Sequence, residues 1–279
     1  MGELIKIEGL TYKVGSKTVL DDITFDVIKG EKYLILGHNG SGKSSLIDCI
    51  LDNVRYRGTI LKNEINKDRL GILYDQFSAL PLLKVKEILK LLECVYSTPR
   101  NNDLISSLTL EPLLNKYFYV LSKGERKKVG LYASLFVKSD LLILDEPTDG
   151  LDPEVRDIFW NIIRKYKKTV LLTTHLWEEA KFHVDKIIFL ESGKILSNAE
   201  TYDELMAKFP YKGKIVTNST IKYPEEMRVI SIDKQSFIYF KNQNEKKEII
   251  RFISQADSTG YSVFQIDLRD IYVHLKSNE

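Results

Sequence analysis

The residues best suited to chemistry in this chain are eight in a row, Gly37-His38-Asn39-Gly40-Ser41-Gly42-Lys43-Ser44. They fit the spacing G-x-x-x-x-G-K-S/T, with the apolar run Tyr33 to Leu36 before them and Ser45-Leu46-Ile47-Asp48-Cys49-Ile50 after. A strand leading in and a helix leading out is the context that a phosphate-binding loop requires. Glycines let the backbone curl so that successive N–H groups point into one concavity, and the following helix adds its positive end. Lys43 would reach the β and γ phosphates of a nucleotide, and the Ser44 hydroxyl would complete the shell of a Mg²⁺ ion. A glycine-rich turn that binds nothing is the bland alternative, and the length of the match in its proper context argues against it.

A second centre lies about a hundred residues on. Leu141-Leu142-Ile143-Leu144 is a fully apolar strand that ends in Asp145-Glu146-Pro147. Carboxylates at the C-terminal end of a buried strand stand at the crevice where open α/β sheets bind ligands, and Pro147 keeps Glu146 out of helical geometry. Thr169 to Thr174 is a similar strand that ends in His175, which shares that sheet edge. His38 lies within the phosphate loop, whereas His183 and His274 have no such company. Ser122 and Glu125 have the S-x-x-E spacing of a capping box, a structural reason for both residues. Gly124 between them leaves a helix N-terminus unobstructed for an anion. Tyr12 offers an aromatic face on which a base could stack, although spacing alone makes it an ordinary strand residue.

The elements that must hold these groups follow from periodicity. Residues 3 to 36 read as strands at 4–8, 10–14, 24–27 and 33–36, with a small antiparallel sheet packed beside the buried strand 33–36 that leads into the loop. Gly58 to Leu61 and Leu70 to Tyr74 are further strands, the second running into Asp75-Gln76. From Lys84 the period becomes helical, with Val85, Ile88, Leu89, Leu92, Val95 and Tyr96 on one face. Prolines and asparagines punctuate residues 97 to 120, so short helices are expected there. A long helix runs from Leu121 to about Val137. Asp152 and Pro153 start another, with Val155, Ile158, Phe159, Ile162, Ile163 and Tyr166 as its buried stripe. Residues 185 to 198 form a hairpin, and Thr201 with Glu204 opens a short helix that ends near Pro210. Beyond it, strands at 228–232, 236–240 and 261–266 flank a helix from Asn244 to about Ala256, a βαβ-containing appendage with no cluster of reactive side chains.

Composition narrows the class. A chain of 279 residues suffices for one large core or two modest domains. Its 43% apolar and 29% charged residues are those of a globular protein, not a disordered one. The net charge of +2 gives no general preference for nucleic acid or an anionic membrane. Cys49 and Cys94 sit in apolar helical patterns without C-x-x-C pairing, which argues against disulfides and zinc and predicts a reduced, cytosolic setting. Met1 to Lys6 lacks the apolar core of a signal peptide, and Lys6 stands where a myristoylation signal wants Ser or Thr. No apolar run approaches the roughly 18 residues of a membrane span. If the protein works at a membrane, another chain supplies the membrane part.

The order of these parts resembles the ATP-binding cassette of ABC transporters over residues 3 to about 209. Leu121-Ser122-Lys123-Gly124-Glu125 is the discriminating piece, since other P-loop proteins share the remaining motifs. It looks like the ABC signature, departs from the usual Leu-Ser-Gly-Gly-Gln at Lys123 and Glu125, and keeps the phosphate-contacting Ser122 and Gly124. The resemblance implies an α/β fold of P-loop NTPase type: a RecA-like core with an antiparallel β subdomain and a small helical subdomain at about 77–138. That cassette would fill residues 1–210, and a small α+β domain would fill 211–279.

The same resemblance assigns roles. Tyr12 would stack on adenine, and the loop from Gly37 through Ser45 would hold the phosphates of ATP. Gln76 would touch Mg²⁺ and sense a membrane partner. Ser44 and Asp145 would also hold Mg²⁺, and Glu146 would be the general base that activates the attacking water. Asp152 would belong to the D-loop, and His175 would contact the γ-phosphate. Ser122, Lys123, Gly124 and Glu125 would act on the ATP of a second cassette, so the chain must dimerise with itself or a relative. A separate integral-membrane permease would complete the transporter at the cytoplasmic face of the membrane, docking near Phe77, Leu80, Leu82 and the 85–96 helix. The segment from Ser262 to Leu275 is similar to the close of many ABC-2 type exporter subunits, whose cargo includes drugs, antimicrobial or cytolytic peptides and polysaccharides. A soluble ABC-type ATPase acting on nucleic acid or ribosomes is the alternative; such proteins tend to carry two cassettes or a coiled-coil insertion, and neither is seen here. A P-loop kinase or nucleotide switch is a third possibility.

Overall fold

The computed structural model describes residues 2–63, 65, 70–78, 81–137, 139–177, 181–218, 222–232, 235–256 and 260–277; Leu80, expected in the docking groove, lies outside them. The chain separates into two compact units, residues 1–202 and 203–279.

The first unit opens with a long hairpin of β1 (Glu3–Val14) and β2 (Lys17–Ile28). The sequence suggests two strands where β1 is one, because Gly9 takes φ 60° and gives its N–H to Thr24 Oγ1 at 3.0 Å. Asp22 across the hairpin also has positive φ, at 56°. These irregularities bend the ladder without ending it. After β3 (Lys32–Leu36) and α1 (Lys43–Ile50), β4 (Arg57–Lys62) returns to β1 and completes a three-stranded antiparallel sheet.

Next come β5 (Leu70–Leu73), then α2 (Val85–Tyr96), α3 (Asn102–Ser107), two single 3-10 turns at Glu111–Leu113 and Phe118–Val120, and α4 (Lys123–Phe136). Val85, Ile88 and Leu89 of α2 are buried, but Val95, at the margin of the expected stripe, is exposed. β6 (Leu141–Asp145), α5 (Pro153–Lys165), β7 (Thr169–Thr174), β8 (Lys186–Glu191) and the short β9 (Lys194–Ile195) finish the unit.

A six-stranded sheet in the order β5-β6-β7-β3-β8-β9 is its centre, parallel throughout except for β9. Every residue of β6 and β7 is buried, as strands covered on both faces must be. One continuous apolar core joins this sheet, α1 and the hairpin through residues such as Ile5, Leu20, Tyr33, Leu46 and Ile143.

The second unit follows from the short helix α6 (Tyr202–Lys208). β10 (Gly213–Thr217), β11 (Arg228–Ile232), β12 (Gln235–Phe240), the helix α7 (Gln243–Ala256), β13 (Tyr261–Phe264) and α8 (Leu268–Lys276) form an antiparallel sheet in the order β11-β12-β10-β13 with its helices. The expected βαβ unit is β12-α7-β13, and β10 runs between its two strands. β10 is not evident in the sequence because Lys214 interrupts a short apolar run. Its ammonium is buried against Asp267 and Asp270 at 2.8 and 2.7 Å.

Candidate functional site

β7 lies between β6 and β3, and the parallel register pairs Asp145 with Thr173 and Leu36 with Thr174. The phosphate loop, the Asp145-Glu146 pair and His175 therefore all begin at one edge of one sheet, which is where open parallel sheets place their ligands.

The loop is shaped by its glycines and by what supports it from outside. A Cβ on Gly37 would lie 2.4 Å from both Ser41 Oγ and the Leu190 carbonyl oxygen, so no larger residue fits. Gly42 ends the loop with φ 111°, which favours glycine. The hairpin turn at Gly193 acts as a brace: its N–H donates to the Ser41 carbonyl at 2.9 Å, and its carbonyl accepts from Asp21 N–H at 2.8 Å. Tyr12 opposes Leu20 in the hairpin register, and a Cβ on Gly42 would come within 2.8 Å of the Leu20 side chain. The hairpin that carries Tyr12 thus flanks the loop through its β2 strand.

Lys43 Nζ donates to the carbonyls of Gly37 at 2.8 Å and His38 at 3.2 Å, and it stands 3.4 Å from Glu146 Oε1. Ser41 Oγ and Glu146 Oε1 are buried without a hydrogen-bond partner. A buried ammonium and an unpaired buried hydroxyl facing one loop are donors that a phosphate chain would satisfy, whereas Glu146 Oε1, ion-paired to Lys43 but accepting no hydrogen bond, is an acceptor suited to water. His38, Asn39, Gly40 and Ser44 are exposed, Ser45 is half-buried, and the His38 ring lies 5.6 Å from that of Trp177.

Glu146 takes φ 48°, the left-handed region, and not the extended conformation usual before proline. Such backbone costs roughly 1–3 kcal/mol and persists only where neighbours hold it. Its N–H donates to Thr173 Oγ1 at 3.1 Å and the Thr173 carbonyl at 3.2 Å, and its carbonyl accepts from Lys127 Nζ at 2.9 Å. Its Oε2 accepts from the His175 N–H at 3.2 Å and faces His175 Nδ1 at 2.8 Å. Thr173 Oγ1 also donates to Asp145 Oδ1 at 2.5 Å, so one hydroxyl orients both acids. Gln76 is exposed just beyond β5, and among the described residues no hydrogen bond at the site runs to it.

The signature segment is built as a helix start. Ser122 Oγ accepts from Glu125 N–H at 3.2 Å, and Glu125 Oε2 accepts from Ser122 N–H at 2.9 Å, so both halves of the capping box form. Lys116 also pairs with Glu125 at 2.8 Å, and the two bonds hold its carboxyl below the usual range. Lys123 Nζ reaches Asp149 at 2.6 Å and pulls that carboxyl down as well. Asp152 caps α5 by accepting from Val155 N–H at 3.2 Å and pairs with Lys128 at 3.1 Å. A Cβ on Gly124 would meet the Gly150 carbonyl oxygen at 2.5 Å.

Thr173, Lys127, Lys128 and Asp149 also shape this edge, and nothing in their spacing singles them out as site residues. Thr173 had a signal, a hydroxyl inside a wholly buried strand; the lysines look like ordinary helix surface, and only the fold shows that Lys127 is 2% exposed.

Residues 20–149 match the family described as ABC transporter. An uncharacterized ABC transporter ATP-binding protein of Methanocaldococcus jannaschii is 30% identical over 253 residues, which are 85% of this chain and 94% of that one. The chain belongs to the ABC transporter family. It is an ATP-binding subunit with an ATPase cassette. The Nod factor export ATP-binding protein I of Rhizobium leguminosarum bv. viciae is 32% identical over 216 residues, 71% of this chain and 70% of its own length. A solved ATP-binding subunit of an ABC transporter superposes with a TM-score of 0.68 at 26% identity, covering 74% of this chain and 93% of that one. The cassette fold and the family expected from the signature are thus both borne out. No helix among the described residues is long and apolar enough to cross a membrane.

Proposed function

We propose that this cassette hydrolyses ATP at a site shared between two subunits and so powers export by a separate membrane permease from the cytoplasmic face. The observation that carries the hydrolytic reading is Glu146, whose carboxylate stands 3.4 Å from Lys43 Nζ and is held by His175 at 2.8 Å. Phosphoryl transfer to water is mainly positioning and charge stabilisation. Lys43 exchanges its backbone carbonyls for phosphate oxygens, the loop N–H groups hold the remaining charge, and Tyr12 stacks on adenine. Glu146 accepts the proton of the attacking water while His175 fixes the carboxylate and reaches toward the γ-phosphate. Ser44, Asp145 and Gln76 are the oxygen donors that would hold Mg²⁺, which when bound neutralises charge on the phosphates. Ser122 to Glu125 serve the ATP of a second subunit, identical or related.

Export is supported by the Nod factor export relative, and a membrane partner by exposed apolar surface on the helical region. Leu82, Tyr117, Tyr119 and Val120 are exposed there, and the backbones of Pro81 and Leu83 bond to those of Tyr119 and Phe118 at 3.2 and 2.9 Å. A permease segment docking there would cover them close to the signature. The test is affinity capture of the full chain from detergent-solubilised membranes of its own cell. A multi-span protein bound in stoichiometric amount is expected, and loss of that partner on changing Leu82 and Tyr119 to Asp. Recovery with ribosomes or nucleic acid and no membrane protein would overturn the transport reading.

A further inference from the structure

Lys127 is a lysine with almost no access to water, 2% exposed, in the middle of the cassette. Burying an ammonium is costly unless each of its three N–H groups finds an acceptor. All three do: the Asp75 carbonyl at 2.8 Å, Asp75 Oδ1 at 3.2 Å and the Glu146 carbonyl at 2.9 Å. One residue of α4 thereby clasps the segment just before Gln76 and the backbone of Glu146. An apolar side chain there would leave two carbonyls and the Asp75 carboxylate without this donor, so the lysine holds the two segments together as well as filling the space.

We infer that Lys127 is a positioning residue for hydrolysis: by holding the Glu146 carbonyl it fixes the left-handed backbone that aims the Glu146 carboxylate, and by holding Asp75 it ties that aim to the Gln76 loop. This rests on Glu146 acting as the general base. The geometry behind it is specific. Glu146 is one of six non-glycine residues with positive φ among the described ones, and its peptide groups are gripped from two sides, by Thr173 at the N–H and, at the carbonyl, by Lys127 at 2.9 Å and more weakly by the Asp149 N–H at 3.3 Å. Without the Lys127 bond the left-handed turn loses one of its restraints, and the carboxylate can swing from the attacking water.

The experiment compares Lys127→Met, Lys127→Gln and Lys127→Arg in the full chain, each alone and with Glu146→Gln. Misplacing a catalytic group by an ångström can cost roughly 100-fold, so Lys127→Met is expected to lower kcat by about 10-fold to 100-fold while KM for ATP and nucleotide affinity stay near the parent values. Lys127→Arg and Lys127→Gln, which keep N–H donors, should recover part of that loss; if Lys127→Met does not fold, Lys127→Gln, shorter and with two N–H donors, is expected to show a lower kcat than the parent at unchanged KM, and a parent-like kcat there would count against the role. In the Glu146→Gln background the Lys127 substitutions should lower the residual rate no further. Near-parent kcat in Lys127→Met, or a loss of equal size in both backgrounds, would overturn the positioning role. Near-parent turnover in Glu146→Gln alone would instead remove the general-base reading on which it rests.

Discussion

Lys43 is placed where nucleotide binding would use it. Its ammonium, 2.8 Å from the Gly37 carbonyl and 3.4 Å from Glu146, sits in a pocket of negative partial charge that phosphate oxygens would replace. Hydrogen bonds to charged groups contribute about 1.5–3 kcal/mol each, so Lys43→Ala should weaken ATP binding by about 10-fold to 100-fold, measured by titration with a fluorescent ATP analogue. Unchanged affinity would contradict the placement. The two cysteines differ for a related reason, burial. The Cys49 thiol is buried and pushed up to about 12 by desolvation, whereas Cys94 is exposed. A thiol reagent near neutral pH should label one sulfur in the folded chain and two in denaturant.

At the scale of elements, α4 is the part that joins the site together. Lys123, Lys127 and Lys128 on this one helix reach Asp149, Glu146 and Asp152 in turn, so the loop after β6 is strapped to the signature helix at three points. Ser122 starts that helix, and Ser122→Ala should cost about 1 kcal/mol of stability through the lost cap, read from denaturant unfolding. Gly193 is the other structural dependency. With φ 81° and a Cβ position 2.2 Å from the Val19 carbonyl, Gly193→Ala should displace the brace behind Ser41 and lower both stability and ATP affinity. The capping box and the strands of the large sheet were legible because they depend on local spacing and apolar runs. The straps were not, since a lysine on a helix reads as surface until the fold brings three acceptors to it. The continuous β1 was hidden by Gly9, which reads as a break and works as a bend.

For the molecule as a whole, the proposed site residues all fall in the unit of residues 1–202, and the unit of residues 203–279 has its own core of Ile215, Ile238, Phe240, Ile249 and Ile253. Its buried network joins Lys214 to Asp267 and Asp270, with Tyr239 donating to Asp270 at 2.8 Å. Removing one member of a buried ion pair costs about 3–5 kcal/mol, so Lys214→Met should unfold this unit at lower denaturant while the affinity for ATP is kept. The strands β11, β12 and β13 and the helix α7 could be read from sequence, but β10 could not, since its burial depends on carboxylates about fifty residues away, and neither could the helix α8, capped by Asp267. The central claim concerns the first unit, that Glu146 activates water at a nucleotide held by the Gly37 loop. Its most direct test is ATP turnover by Glu146→Gln beside its ATP affinity. Turnover lower by about 10² to 10⁴ with affinity unchanged is the expected result, and turnover near that of the parent would contradict the claim.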